Sequence, residues 1–215
     1  MTPLKTGKST LTVGEAAIVA TICFGLFVLW SVQAVIAGFP DPEMTDAGNG
    51  WLIGLELVLG ASALLYLRAR GFDIASLYPH PTLRGTLLGV ALFGLCWLFG
   101  VIAMNAVHTP GRHEVVAFSY SRMSLASTIA LALVNGSFEE VFLLGVLVRG
   151  LRGFGLSVAL GLPLLVRLLY HLYQGPLGVV WVGTIGITLS MAYVAGRQLW
   201  PAVFAHVLWD IVPTL

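Results

Sequence analysis

Charge is what this chain lacks most. Of its 215 residues 10% are Asp, Glu, Lys or Arg and 58% are hydrophobic, with a formal net charge of +1. A soluble domain carries roughly 25% charged and 45–50% apolar residues. So small a supply of charge cannot cover a water-facing surface, which excludes a cytosolic globular enzyme. A disordered tail and a nucleic-acid binder working through a broad basic face are excluded as well. Cysteine is scarce: Cys23 and Cys96 both lie in apolar runs, so neither a disulfide framework nor a thiolate metal site is expected. A Gly-rich phosphate loop, a dinucleotide fingerprint, His-Glu-x-x-His and Gly-x-Ser-x-Gly are all missing. Their absence removes nucleotide-driven pumps, the common helical zinc proteases and elbow-type serine hydrolases.

What the chain has is long apolar sequence, with a mean hydropathy of +0.92. Seven candidate spans fall at about 14–38, 50–67, 85–107, 123–148, 156–173, 177–196 and 199–213. They are separated by Pro-, Gly- or charge-bearing breaks, and the longest of these, 68–84, is expected along the membrane surface. No repeat or low-complexity segment divides the chain, so residues 1–215 are read as one membrane domain. Hydrocarbon leaves each backbone polar group to find an internal partner, so the spans are expected to be helices. The ten-residue alternation of β-barrel strands is absent. The expected fold is an all-α polytopic membrane helix bundle of about seven transmembrane helices, lying in a cell membrane, the bacterial cytoplasmic membrane being favoured.

Alternating seven spans places Lys5, Lys8, Arg68, Arg70, Arg84, Arg149, Arg152 and Arg197 on one side. Arg112 and Arg122 fall on the other, with Asp41, Glu43, Asp46 and Glu114. By the positive-inside rule the N-terminus is expected to be cytoplasmic. Val35-Ile36-Ala37 before Gly38 has the spacing of a cleavage site, but the first apolar run is longer than the 7–15 residues of a signal peptide, and it is read as a retained helix.

Seven ionisable groups lie well within the apolar runs: Glu56, Glu139, Glu140, Arg167, His171, His206 and Asp210. A charge at a helix centre costs about 2.5–3.5 kcal/mol on insertion scales, so such groups normally face the bundle interior and have a role. All but Glu56 fall in three C-terminal spans. Arg167 and His171, and His206 and Asp210, are spaced to share a helix face. Glu139 and Glu140 point about 100° apart, so one of them faces a given site squarely. Asn135 stands one turn before Glu139, and Gly136, Gly145 and Gly150 permit close helix approach. Measured from a turn at Gly153, Glu139 and His171 lie at depths of roughly 21 and 27 Å, and His206 lies roughly 12 Å in from Gln198. The three meet if the Gly153 hairpin protrudes into the cytoplasm and the Gln174-Gly175-Pro176 turn sits below the outer surface.

A carboxylate and a histidine around one site are the parts for activating water by general-base catalysis. A His–Asp pair on another helix suits a developing oxyanion. Two His with a carboxylate also make a zinc shell, with Glu139, His171 and His206 as ligands, and the residue types leave both routes open.

The stretch Asn135-Gly-Ser-Phe-Glu139-Glu140-Val-Phe-Leu-Leu-Gly145 resembles the paired-glutamate motif of the CPBP family, the CAAX-processing and bacteriocin-processing intramembrane proteases, also called abortive-infection-like. Arg167-Leu-Leu-Tyr170-His171-Leu-Tyr-Gln174-Gly175 resembles its second, His-bearing motif, and Trp200-Pro-Ala-Val-Phe-Ala-His206-Val-Leu-Trp-Asp210 its His-x-x-x-Asn/Asp motif. The likeness covers about 123–212; residues 1–122, with three spans, are not diagnostic. It implies peptide-bond hydrolysis inside the membrane on a membrane-associated peptide or protein, with no nucleotide or nucleic acid involved. Glu139 and His171 would activate water, His206 and Asp210 would form the oxyanion side, and Glu140 would support them. The family has been described both as glutamate proteases and as metalloproteases, so zinc stays open.

Two departures stand out. The family motif commonly carries Arg where this chain has Leu144, and its second motif often starts with Phe where this chain has Arg167. Arg167 is therefore expected to supply, from the neighbouring helix, the positive charge that Leu144 lacks. Glu56 is read as interfacial or structural, and His80, His108 and His113 as solvent-facing. Trp51, Trp200 and Trp209 are read as belt or packing residues, and Tyr173 and Gln174 as candidates for an entrance. Two other functions fit part of the pattern: a proton-coupled transporter, and a non-catalytic binding or immunity protein on the same fold. A transporter would carry broken helices in two matching halves, whereas the polar cluster here lies in the second half.

Overall fold

The computed structural model describes residues 7–41, 43–107 and 119–214. Lys5, His108, Arg112, His113 and Glu114 lie outside the described residues, as does the side chain of Arg122. Seven α-helices follow in order: α1 (Val13–Ile36), α2 (Asp46–Ala69), α3 (Leu83–Val107), α4 (Leu125–Glu140), α5 (Leu156–Tyr170), α6 (Gly175–Gly196) and α7 (Leu199–Ile211). One small addition to the helical bundle is a parallel pair of strands, β1 (Glu43–Thr45) and β2 (Ser119–Arg122).

Among the described residues, five helical stretches are long and apolar enough to cross a membrane: α1, α2, α3, α4 with its continuation to Val148, and Leu172–Gly196. The seven spans expected from hydropathy therefore become five of full length and two shorter helices. With 15 and 13 residues, α5 and α7 reach about 22 and 20 Å, short of the ~30 Å hydrocarbon core. Local chemistry explains their length. Gly155 at φ 93° starts α5, which ends at Tyr170, and Gly175 at φ 76° starts α6 directly after. The turn between α5 and α6 is correspondingly tight, a single 3-10 turn at Leu172–Gln174 between the two helices.

Polar contacts tie the helix ends. At the Lys/Arg-rich end, Thr12 and Glu15 form a reciprocal cap on α1. The buried Glu15 also accepts from Lys8 Nζ at 2.7 Å and Arg70 Nε at 2.8 Å. Such a cap satisfies orphan N–H groups at the helix start. The 68–84 break packs beneath this end: Phe72 and Leu77 are buried, and the Arg149 guanidinium stands 5.7 Å from the Phe72 ring centroid. At the other end, Asp46 Oδ1 accepts from Ser124 N at 2.7 Å and Ser127 Oγ at 2.5 Å, joining the starts of α2 and α4.

The centre of the bundle is α4. It continues without a break as a π-helix, Val141–Val148, in which Phe142 to Val148 are all buried. π segments are rare and often mark functional sites, because the extra residue per turn re-aims the side chains around it. Against α7, α4 comes close because Gly136 has no side chain: a Cβ there would meet Val207 N and Cγ2 at 3.2 Å. By contrast α1–α3 present large apolar side chains outward, such as Leu29, Leu65 and Leu87.

Candidate active site

Three helices bring the intramembrane charges together. Glu139 and Glu140 end α4, Arg167 and Tyr170 lie in the last turn of α5, and His206 and Asp210 lie on one face of α7. Arg167 Nη2 donates to Glu140 Oε1 at 2.6 Å, and its Nη1 stands 3.8 Å from Glu139 Oε2. His206 Nδ1 donates to the same Glu140 Oε1 at 2.6 Å. Its Nε2 faces Asp210 Oδ1 at 3.6 Å and Glu139 Oε2 at 3.9 Å. Asn135 Nδ2 in turn donates to Asp210 Oδ2 at 3.0 Å.

The two adjacent glutamates thus divide their work. Glu140 is fully buried and holds the helices together through two donors on Oε1, while its Oε2 is buried without a hydrogen-bond partner. Glu139 lies on the wall of a cavity of about 770 Å³, a size typical of ligand sites. Arg167 is buried beside both carboxylates, where the sequence reading placed the charge missing at Leu144. Leu144 itself is 1% exposed in an apolar cluster with Leu92 and Leu189. The stem of Arg167 fits because Gly186 of α6 leaves room: a Cβ there would stand 2.9 Å from Arg167 Cδ.

His171 stands differently from the shared-face reading. The helix ends at Tyr170, and His171, at φ −108°, is already its C-cap. Its Nδ1 reaches back to the Arg167 carbonyl at 2.9 Å, and its ring stacks on Tyr173 at 6.1 Å. A carbonyl only accepts, so Nδ1 carries the proton and Nε2 keeps its lone pair. The residue that touches Glu139 is instead Tyr170, whose hydroxyl donates to Glu139 Oε2 at 2.5 Å. Sequence reasoning assigned Tyr170 no part. The available signal was its place three residues after Arg167, on the same face of α5.

Glu139, Glu140 and His206 each offer a ligand atom within 4.8 Å of the others. This is not the set named from sequence: Glu140 stands where His171 was expected, while His171 is the C-cap of α5 and bonds back to the Arg167 carbonyl. The donors fit zinc poorly. One imidazole is present, its Nδ1 is committed to Glu140, and a guanidinium already lies between the two carboxylates. A divalent cation there would face the fixed charge of Arg167 at close range.

The cavity wall is mainly aromatic and aliphatic, with Phe27, Trp30, Leu177, Trp181 and Trp209, and its polar groups include Glu139, Asp210, Asn135, Asn49, Gln174 and Glu56. Tyr173 and Gln174 line it, as expected of an entrance, and Trp209 belongs to the wall as well as to the packing. Glu56 departs from the interfacial reading. It is 5% exposed, lines the same cavity, and its Oε2 is buried without a partner. His80 is exposed. Trp51 packs on Trp30 at 5.3 Å, and Trp200 donates to Thr86 Oγ1 at 2.9 Å, in keeping with packing roles.

Residues 121–212 match the family model described as Type II CAAX prenyl endopeptidase Rce1-like. No curated protein and no solved structure matches the chain. The matched stretch holds the whole charged cluster from Asn135 to Asp210. It is the stretch in which the three motifs resemble the CAAX-processing proteases, and it lies within the helical membrane bundle. Glu56 and α1–α3 lie outside it.

Proposed function

We propose that this protein is an intramembrane endopeptidase that hydrolyses a peptide bond in a membrane-associated protein or peptide, with Glu139 as the general base. The observation that carries this reading is the position of Glu139. It is the one member of the buried Glu139–Glu140–Arg167–His206 cluster that lines the large cavity, and Tyr170 and Arg167 hold it in place.

Each group then has a step. A water in the cavity gives a proton to Glu139 as its oxygen attacks the scissile carbonyl carbon. The lone pair of His171 Nε2 is the second acceptor that orients this water. The developing oxyanion forms near His206 Nε2, which donates to it with the ring in its doubly protonated form: Glu140 accepts from Nδ1, and Asp210 and Glu139 flank Nε2. Preorganised donors of this kind, aimed where charge develops in a water-poor site, are among the largest catalytic terms. When the C–N bond breaks, Glu139 returns its proton to the leaving amine. Glu140 and Arg167 are positioning residues whose buried ion pair fixes α4, α5 and α7. Since the donors suit zinc poorly, no step is assigned to a metal.

Cleavage of a peptide library by wild type, Glu139→Ala and His206→Ala, with and without a chelator, tests the proposal. Cleavage by wild type, insensitive to chelator and lost in both variants, is expected. Equal cleavage by all three proteins would reject it, and chelator loss restored by zinc would replace the glutamate route with a metal route.

A further inference from the structure

We infer that the cavity is entered from the non-cytoplasmic side of the membrane, and that its substrate is a translocated, apolar peptide segment inserted from that side. The substrate part rests on the proposed hydrolase reading; the sidedness does not.

The cavity wall comes from one end of the bundle. It is built from the C-terminal halves of α1 and α3, the N-terminal halves of α2, α4 and α6, the strand residue Met44 and the end of α7. With the helices alternating in direction, these parts all lie at the same end. The described cations Lys8, Arg68, Arg70, Arg84, Arg149, Arg152 and Arg197 lie at the opposite end, beside the start of α1 and the ends of α2, α4 and α6. The cavity end carries Asp41, Glu43 and Asp46 instead. Lys/Arg-rich ends face the cytoplasm, so the mouth faces away from it.

The cationic end is closed to the site. Between Glu139 and Arg149 the π-helix is packed solid: Leu143, Leu144, Val146, Leu147 and Val148 are each no more than 2% exposed. From the start of α4 at Leu125 to Glu139 is about 21 Å along the helix. An extended chain spans at most ~3.3–3.6 Å per residue, so about six residues are needed to bring a peptide bond from the mouth to the Glu139 carboxylate. Along that path the walls are Phe27, Trp30, Trp181 and Trp209, which favour apolar residues. A cytoplasmic tail has no such route.

Single cysteines test the sidedness without any need for activity. Native Cys23 and Cys96 are buried, so the wild type is the blank. Met44→Cys and Gln174→Cys probe the cavity end, and Arg84→Cys and Phe154→Cys the cationic end. A charged, membrane-impermeant maleimide added to intact bacterial cells is expected to label the first pair, and the second pair after permeabilisation. The reverse pattern would overturn the inference. A second arm offers sealed vesicles of known orientation an apolar fluorogenic peptide with a charged tag at one end. Cleavage from the non-cytoplasmic face is expected, with peptides reaching fewer than about six residues in cleaved at least tenfold more slowly. Cleavage from the cytoplasmic face alone would overturn the inference. The expected labelling with no cleavage from either face would leave the sidedness standing and remove the hydrolase reading.

Discussion

Helices α1–α3 and helix α4 with its continuation are all apolar enough to cross a membrane yet meet the bilayer in different ways. In each of the first three, 22% of the most hydrophobic stretch is buried, whereas for α4 with its π-helical continuation the share is 67%. The outer helices present Leu29, Leu65 and Leu87 to lipid, while α4 is surrounded by protein and carries both glutamates. Lipid accepts any large apolar side chain, but a protein neighbour accepts one of the right shape, and a buried charge needs a partner as well. Tolerance to substitution should therefore fall sharply from α1–α3 to α4–α7, and the substitutions that follow test that difference.

The largest effect is expected at Glu139. Glu139→Gln keeps the size and removes the base, and kcat is expected to fall by about 10²–10⁴-fold, the usual contribution of general acid–base catalysis. Folding should survive, as read by gel filtration in detergent. Near-normal turnover would remove Glu139 from the chemistry.

Arg167→Ala should instead act on the fold. Taking one partner from a buried ion pair costs about 3–5 kcal/mol, so a large loss of thermal stability and yield is expected, with Arg167→Lys intermediate. Combining Arg167→Ala with Leu144→Arg should restore part of the stability at most, because Leu144 is enclosed by apolar neighbours and lies in the π-helix rather than on an α-helical i+4 face. A fully stable and active Arg167→Ala would sink the compensation idea.

Tyr170→Phe removes one hydrogen bond to Glu139 and leaves the ring stacked on Phe24 at 4.9 Å. A hydrogen bond to a charged group is worth about 1.5–3 kcal/mol, so a fall in kcat of about 10–100-fold is expected with little change in melting temperature. Gly186→Ala forces a Cβ against the Arg167 stem, and overpacking of this kind costs about 1–3 kcal/mol. Smallest of all, Leu65→Ala and Leu87→Ala on the lipid face should each change detergent-solubilised stability by no more than about 0.5 kcal/mol, as usual for surface positions. Losses there equal to those in α4 would erase the contrast between the two regions.

Much of this was legible before any coordinates. The apolar runs required helices, since backbone polar groups in hydrocarbon have no other outlet. The distribution of Lys and Arg required a sided bundle. The cost of burying charge singled out Glu139, Glu140, Arg167, His206 and Asp210, and the helical period paired His206 with Asp210. The choice of Arg167 as the partner of Glu140 followed from the same cost.

The tertiary structure alone decided the rest, because hydropathy and helical period are local and carry no information about where a helix stops or what stands across from it. It ended α5 at Tyr170, which made His171 a C-cap bonded back to the Arg167 carbonyl and put the Tyr170 hydroxyl on Glu139. It made α5 and α7 too short to span, so that seven apolar runs gave five full-length helices. It placed Glu56, read as interfacial or structural, in the cavity wall rather than at the interface, since a face that reads as lipid-exposed on one helix becomes interior once another helix covers it. And it packed the π-helix beneath Glu139, which left the cavity open at one end.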